Sequence, residues 1–163
     1  MREMRRKEKA ITDRGQLVHI LRSAKYVTIA MSLENEPYLV TLSHGYDESK
    51  NCIYFHCAQE GKKIDILKRN NLVWGQALLD YGYAHGKCDH HFATTQFRGR
   101  VTFVTDLEEK RYALTIMVNQ LEENPQIVIS EQFNDSSIRK VNIGRIDIDY
   151  LSGKHARDVI ISL

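Results

Sequence analysis

Residues 53–67 constrain this chain more tightly than any other stretch. Ile53-Tyr54-Phe55-His56-Cys57 is an aromatic and β-branched run and predicts a strand. A short polar turn at Gly61 breaks it. From Lys62 to Asn70 the apolar residues change spacing, with Ile64 and Leu67 at i, i+3 and Ile66 between them, which predicts a short helix. A strand that delivers Lys62 and Lys63 into the first turn of a helix suits a phosphate, because unpaired N–H groups and the positive end of the helix dipole point the same way as the ammonium groups. The alternative reading is a solvated helix start, which would oppose the dipole slightly.

The rest of the chain reads in order around that junction. Asp13 is placed to cap a helix over Arg14–Ala24, with Leu17, Ile20, Leu21 and Ala24 on one face. Tyr26–Met31 reads as a strand, Glu34-Asn35-Glu36-Pro37 as a turn, and Tyr38–Tyr46 as a second strand that pairs in a hairpin with Cys52–Cys57. Leu72–Leu79 is an apolar strand, Asp80–His91 a Gly- and His-rich loop, and Phe92–Thr105 a long strand. Asp106 caps a helix of about fifteen residues that Asn124-Pro125 stops. Gln126–Phe133 is ambiguous, and Arg139–Leu151 alternates as a last strand.

Six strands joined mostly by short turns, with helices set apart, predict an α+β domain around an antiparallel sheet or barrel. No G-x-G-x-x-G or Walker loop occurs and strands do not alternate with helices, which excludes a parallel dinucleotide fold. At 163 residues, with 42% hydrophobic and 27% charged, the chain makes one domain. A net charge of +2 gives no general field for nucleic acid, and residues 1–12 form a locally basic arm diluted by Glu3 and Glu8. Three cysteines without C-x-x-C spacing argue against a disulfide framework or structural zinc. Neither a signal region nor a membrane-length apolar run appears, so the expected home is the cytoplasm.

Several ordered motifs then resemble one family. They are Arg2-Glu3-Met4-Arg5-Arg6-Lys7; Pro37-Tyr38-x-Val40-x-Leu42-Ser43 with Tyr46; and Ile53-Tyr54-Phe55-His56-x-Ala58-x-x-Gly61-x-Lys63-x-Asp65-x-Leu67. Together they resemble the 5-nitroimidazole resistance proteins, within the flavin-binding pyridoxamine 5′-phosphate oxidase-like group. The resemblance implies a six-stranded antiparallel split β-barrel with peripheral helices, a homodimer, and FMN at the dimer interface. It implies that Lys62 and Lys63 grip the phosphate, and that His56 and Cys57 lie along the flavin and its ribityl chain. Val40, Thr41 and Leu42 would run beside the isoalloxazine, largely through backbone groups. Thr94 takes the place of a hydroxyl donor, with Gln96 near it on the same strand.

A flavin carries its own redox chemistry, so the chain needs no catalytic triad, and none is visible. His56 is the candidate catalytic residue, donating a hydrogen bond to reduced flavin or to a nitro oxygen; otherwise it is a strand histidine filling space beside Tyr54. Cys57, with no flanking cation in sequence, reads as a small apolar residue. The segment Tyr83–His91, with His85, Cys88, His90 and His91, is a lid, a haem-ligating loop or a transition-metal site; no regular ligand spacing selects the last. Three function classes follow: an FMN-dependent oxidoreductase acting on nitroaromatic or similar small acceptors, a flavin- or haem-binding protein without turnover, and, weakest, a nucleic-acid-binding partner.

Overall fold

The computed structural model describes residues 4–162. Arg2 and Glu3 of the basic arm lie outside the described residues. After a single 3₁₀ turn at Lys7–Lys9 come β1 (Ala10–Ile11), α1 (Arg14–Ser23), β2 (Val27–Leu33), β3 (Glu36–Leu42), β4 (Gly45–Asp47) and β5 (Cys52–Cys57). These are followed by α2 (Lys62–Arg69), β6 (Leu72–Ala84), β7 (Asp89–Val104), α3 (Leu107–Leu121), α4 (Pro125–Gln132), α5 (Asp135–Lys140) and β8 (Asn142–His155).

Every strand pairing is antiparallel, in the order β3-β2-β6-β7-β8-β5-β4, with β1 added along β8. β3 and β4 end this order without pairing to each other, so the sheet curls around its core as an open, split barrel. The fold is α+β as expected, with eight strands in place of six. Ala10–Ile11 adds one, so the arm is not solvated at its end: Ile11 is buried and Lys9 sits 4.0 Å from Asp89. The other comes from the expected Tyr38–Tyr46 strand, which divides at Ser43-His44. Its first part pairs with β2, and only Gly45–Asp47 forms the hairpin with β5. The divide sits where His44 turns wholly inside, a demand that propensity does not register.

The expected loop Asp80–His91 is mostly strand: β6 and β7 continue into a hairpin arm, with a register shift between Asp80 and Tyr83 and a turn at residues 85–88. Gly and His content masked the alternation. α3 runs fifteen residues and ends at Leu121, ahead of Asn124-Pro125 as expected, and Pro125 also opens α4 at its first turn, where a missing N–H costs nothing. The caps of α1 and α3 are as expected: Asp13 accepts from the Gln16 N–H at 2.9 Å and Asp106 from the Glu109 N–H at 2.8 Å.

Alternate strand residues fill the core. Val27, Ile29, Met31, Ile53, Phe55, Phe97 and Val101 turn inward with Leu17, Ile20 and Leu21 of α1. Gly144 opposes Phe55 and leaves room for its ring: a Cβ there would stand 2.2 Å from the ring's edge. On the outer face α3 covers Cys52, Tyr54, Val104 and Ile143. The remainder of that face, across β3, β2, β6 and the first half of β7, is left open. No helix among the described residues is long and apolar enough to cross a membrane.

Candidate functional site

The junction after β5 is built by Gly61, whose φ of 130° is closed to ordinary side chains without strain. A Cβ at Gly61 would meet nothing within 4 Å, so the start of α2 opens onto free space. The Ile64 and Asp65 N–H groups bond to the Gly61 carbonyl, and no side chain caps the helix. Two cations in this uncapped first turn work against the helix dipole unless an anion joins them.

Lys62 leans over Tyr38, 4.9 Å from the ring centroid, and pairs with Glu36 at 2.8 Å. The bond from Lys62 holds the Glu36 carboxyl below its usual range. Both partners are exposed, so the pair is weak and exchangeable. Lys63 lies 5.8 Å from the Phe55 ring centroid and has no carboxylate partner among the described residues. It also stands beside Cys57, which corrects the reading of Cys57 as free of a neighbouring cation; the helix turn folds the lysine back over the strand end. Burial pushes the Cys57 thiol up, Lys63 pulls the other way, and the Asn142 amide donates to the sulfur at 3.5 Å. Burial wins, and Cys57 stays a thiol.

His56 and Cys57 are consecutive in a strand and so face opposite ways. Cys57 shares the Phe55 side, toward Lys63. His56 is exposed on the side of Tyr54, opposite Ile143 on β8, with no hydrogen bond or ion pair among the described residues.

β3 is the terminal strand, so one edge of its backbone has no strand partner. Val40 and Leu42 pack inward against the core and Thr41 points out. Tyr38, under Lys62, and Thr41 are three residues apart along the strand, about 10 Å. The Thr41 hydroxyl meets that of Thr28 at 3.0 Å. The register continues this outward row through Gln76 to Gln96, whose amide donates to Gln76 at 3.3 Å. Thr94 lies two residues along from Gln96; its hydroxyl is committed to the Lys154 carbonyl at 3.2 Å. Gln96 stands three strands from Thr41, about 14 Å across the sheet.

The expected residues therefore fall into groups. Lys62, Lys63 and Cys57 gather at the start of α2, with Val40, Thr41 and Leu42 along the neighbouring free edge. Gln96 and Thr94 lie farther across the open face, and His56 stands apart.

A cleft of about 590 Å³ lies not at α2 but on the open outer face beyond Thr41. Thr28, Thr41 and Gln76 contribute its polar groups, Leu78, Tyr26 and Tyr81 its apolar ones, and His19, Lys25 and Asp80 its charged or titratable rim. Apart from Thr41, sequence reading passed over these residues. Tyr26 and Leu78 share the outward alternation of Thr28 and Gln76, the one signal that marked an apolar pair on an open face. Of the histidines in the hairpin arm, His90 is held by Asp80 at 2.7 Å. Among the described residues no three His, Cys, Asp or Glu side chains converge as a metal set.

The sequence profile of the pyridoxamine 5′-phosphate oxidase family matches residues 13–155. No curated protein sequence matches. Among solved structures, the chain is similar to a candidate 5-nitroimidazole antibiotic resistance protein from Bacteroides thetaiotaomicron. The two are 29% identical over 89% of this chain and 85% of the other, with a TM-score of 0.76. A flavocytochrome from Azotobacter vinelandii shares the fold at 16% identity and a TM-score of 0.78, over 94% of this chain and 72% of the other. An FAD-binding protein from Mesorhizobium loti shares it at 19% identity and a TM-score of 0.63, over 91% and 97%.

Proposed function

The chain belongs to the pyridoxamine 5′-phosphate oxidase family, and from that membership we propose that it binds flavin as FMN and acts, as a homodimer, as an oxidoreductase reducing nitroaromatic or similar small acceptors. The observation that carries the reading is the uncapped start of α2, where Lys62, Lys63 and the open space over Gly61 come together. A terminal phosphate brings close to two negative charges and three acceptor oxygens, which two ammonium groups and free helix N–H groups match. The similarity to flavin-binding structures and to the candidate nitroimidazole resistance protein supports the same reading.

When bound, the flavin supplies the electron transfer. The protein's part is to hold and orient it. Lys62 and Lys63 bind the phosphate, the free edge of β3 offers backbone N–H and C=O groups at Val40, Thr41 and Leu42, and half-buried Cys57 lines the inner side. Thr94 and Gln96 lie too far across the sheet from Thr41 to touch the same ring system, so in our reading they serve the flavin held by a second copy. His56 faces away from Lys63 across β5, so in our reading it donates a hydrogen bond to reduced flavin or to a nitro oxygen at the site of a second copy. The dimer reading draws on the outer face, which exposes Leu39, Trp74, Leu78 and Tyr26 from adjacent strands. Three free cysteines fit a reducing cytoplasm.

The test is the visible spectrum of the purified protein, alone and after adding FMN, followed by gel filtration. A retained flavin spectrum in a dimer-sized peak, with turnover of a 5-nitroimidazole by reduced nicotinamide, is the expected result. Changing Lys62 and Lys63 together to Ala should weaken FMN retention about a hundredfold, roughly tenfold per charge-assisted contact. Undiminished retention in that double variant overturns the phosphate assignment. A Soret band in place of a flavin spectrum replaces FMN with haem.

A further inference from the structure

We propose that Asn142, the first residue of β8, is a positioning residue for the phosphate grip: its side-chain amide sets where the first turn of α2 presents Lys62 and Lys63. This rests on the flavin reading, since the phosphate concerned is the same one.

Asn142 and Cys57 are cross-strand partners and so share one face of the sheet. It is the inner face, where Lys63 folds back toward the Cys57 thiol. The Asn142 amide carries two N–H donors and has two acceptors in reach. Nδ2 donates to the Ala58 carbonyl at 3.0 Å and to the Cys57 sulfur at 3.5 Å. Ala58 opens the turn that leads through Gly61 into α2. One residue on, the Gln59 side-chain amide donates to the Lys140 carbonyl at 3.0 Å. Two side-chain amides thus lace the turn to the start of β8, one from each side.

The turn needs this lacing. Ile64, Ile66 and Leu67 bury the body of α2, but its first turn has only Gly61 before it and no side-chain cap. Glycine restrains the backbone least of all residues. Charge-assisted hydrogen bonds to one phosphate ask for donors at about 2.7–2.9 Å, so a drifting turn loses them. The anchor itself is firm. Lys110 of α3, nine-tenths buried, donates through Nζ to the Val141 carbonyl at 2.7 Å and the Arg139 carbonyl at 3.2 Å. Asn142 and Gln59 carry no charge, so neither repels the phosphate nor competes for it. What they contribute is placement.

The experiment titrates the full chain with FMN and with riboflavin, which lacks the phosphate, and reads quenching of flavin fluorescence. Asn142→Ala should weaken FMN binding about tenfold and leave riboflavin binding unchanged, the scale of one charge-assisted contact. Gln59→Ala, at an exposed turn residue, should act in the same direction by about threefold, and it carries the test alone should Asn142→Ala fail to fold. In a Lys63→Ala background the loss from Asn142→Ala should shrink, because less of the grip is left to place. Equal loss of FMN and riboflavin, or an undiminished FMN affinity in both Asn142→Ala and Gln59→Ala, overturns the inference. The flavin reading fails separately, through a parent protein that binds FMN no better than riboflavin or through FMN retention in the Lys62, Lys63 double-Ala variant.

Discussion

The Nε2–H of His44 donates to the Leu21 carbonyl over 2.7 Å, tying the link between β3 and β4 to the last turn of α1. The other ring nitrogen, Nδ1, is buried with no partner, so a proton added there would be an unpaired buried charge. Burial accordingly holds the imidazole below its usual value of 6.5, against the opposing pull of the Leu21 bond.

The sign of the pH dependence follows. The unfolded chain takes up this proton at higher pH than the folded one, so the His44 contribution is complete above pH 6.5. It is lost as pH falls from there through the lower folded value. Urea unfolding at pH 8 and at pH 5 should show the loss, and His44→Gln should shrink the difference between the two.

Glu36 competes with any anion for Lys62, since the two side chains pair at 2.8 Å in the open. Glu36→Gln should therefore strengthen FMN binding a few-fold, read from quenching of flavin fluorescence on titration. Weaker binding would make Glu36 a support that aims Lys62 rather than a competitor.

Gly144 is required by the ring opposite it. Gly144→Ala sets a methyl group 2.2 Å from the fully buried Phe55 and should cost about 1–3 kcal/mol in a denaturant titration, as overpacking does.

Asp106 caps α3, the helix that covers the outer end of the sheet. Asp106→Ala should cost about 1 kcal/mol of stability, with flavin content unchanged because the helix packs chiefly on β4, β5, α4 and α5 rather than on α2 or β3.

The sequence was most legible where a single residue type has one job. Asp13, Asp106 and Gly61 announced their helices because caps and positive φ are local events. It was least legible where long-range burial decides. Nothing near Ser43-His44 shows that the imidazole must reach Leu21 on a distant helix and so break a strand in two. The arm at Asp80–His91 was hidden by its composition, although Tyr81 and Tyr83 keep strand alternation. Lys62 and Lys63 were visible as a pair. The cleft was not, because Lys25, Thr41, Gln76 and Tyr81 belong to three segments that only the β3-β2-β6 pairing assembles.

β8 is the last strand and also the busiest, pairing with β1, β5 and β7. Tyr54 must wait for Arg145 and Ala10 for Lys154 before either finds its ladder. During synthesis, the segment that carries Lys62 and Lys63 therefore leaves the ribosome with one edge of β5 bare. Such distant pairings are slow to close. A nascent chain of this kind gains from protection of that edge until β8 arrives, and a cut before Asn142 should leave a product that aggregates rather than a smaller working domain.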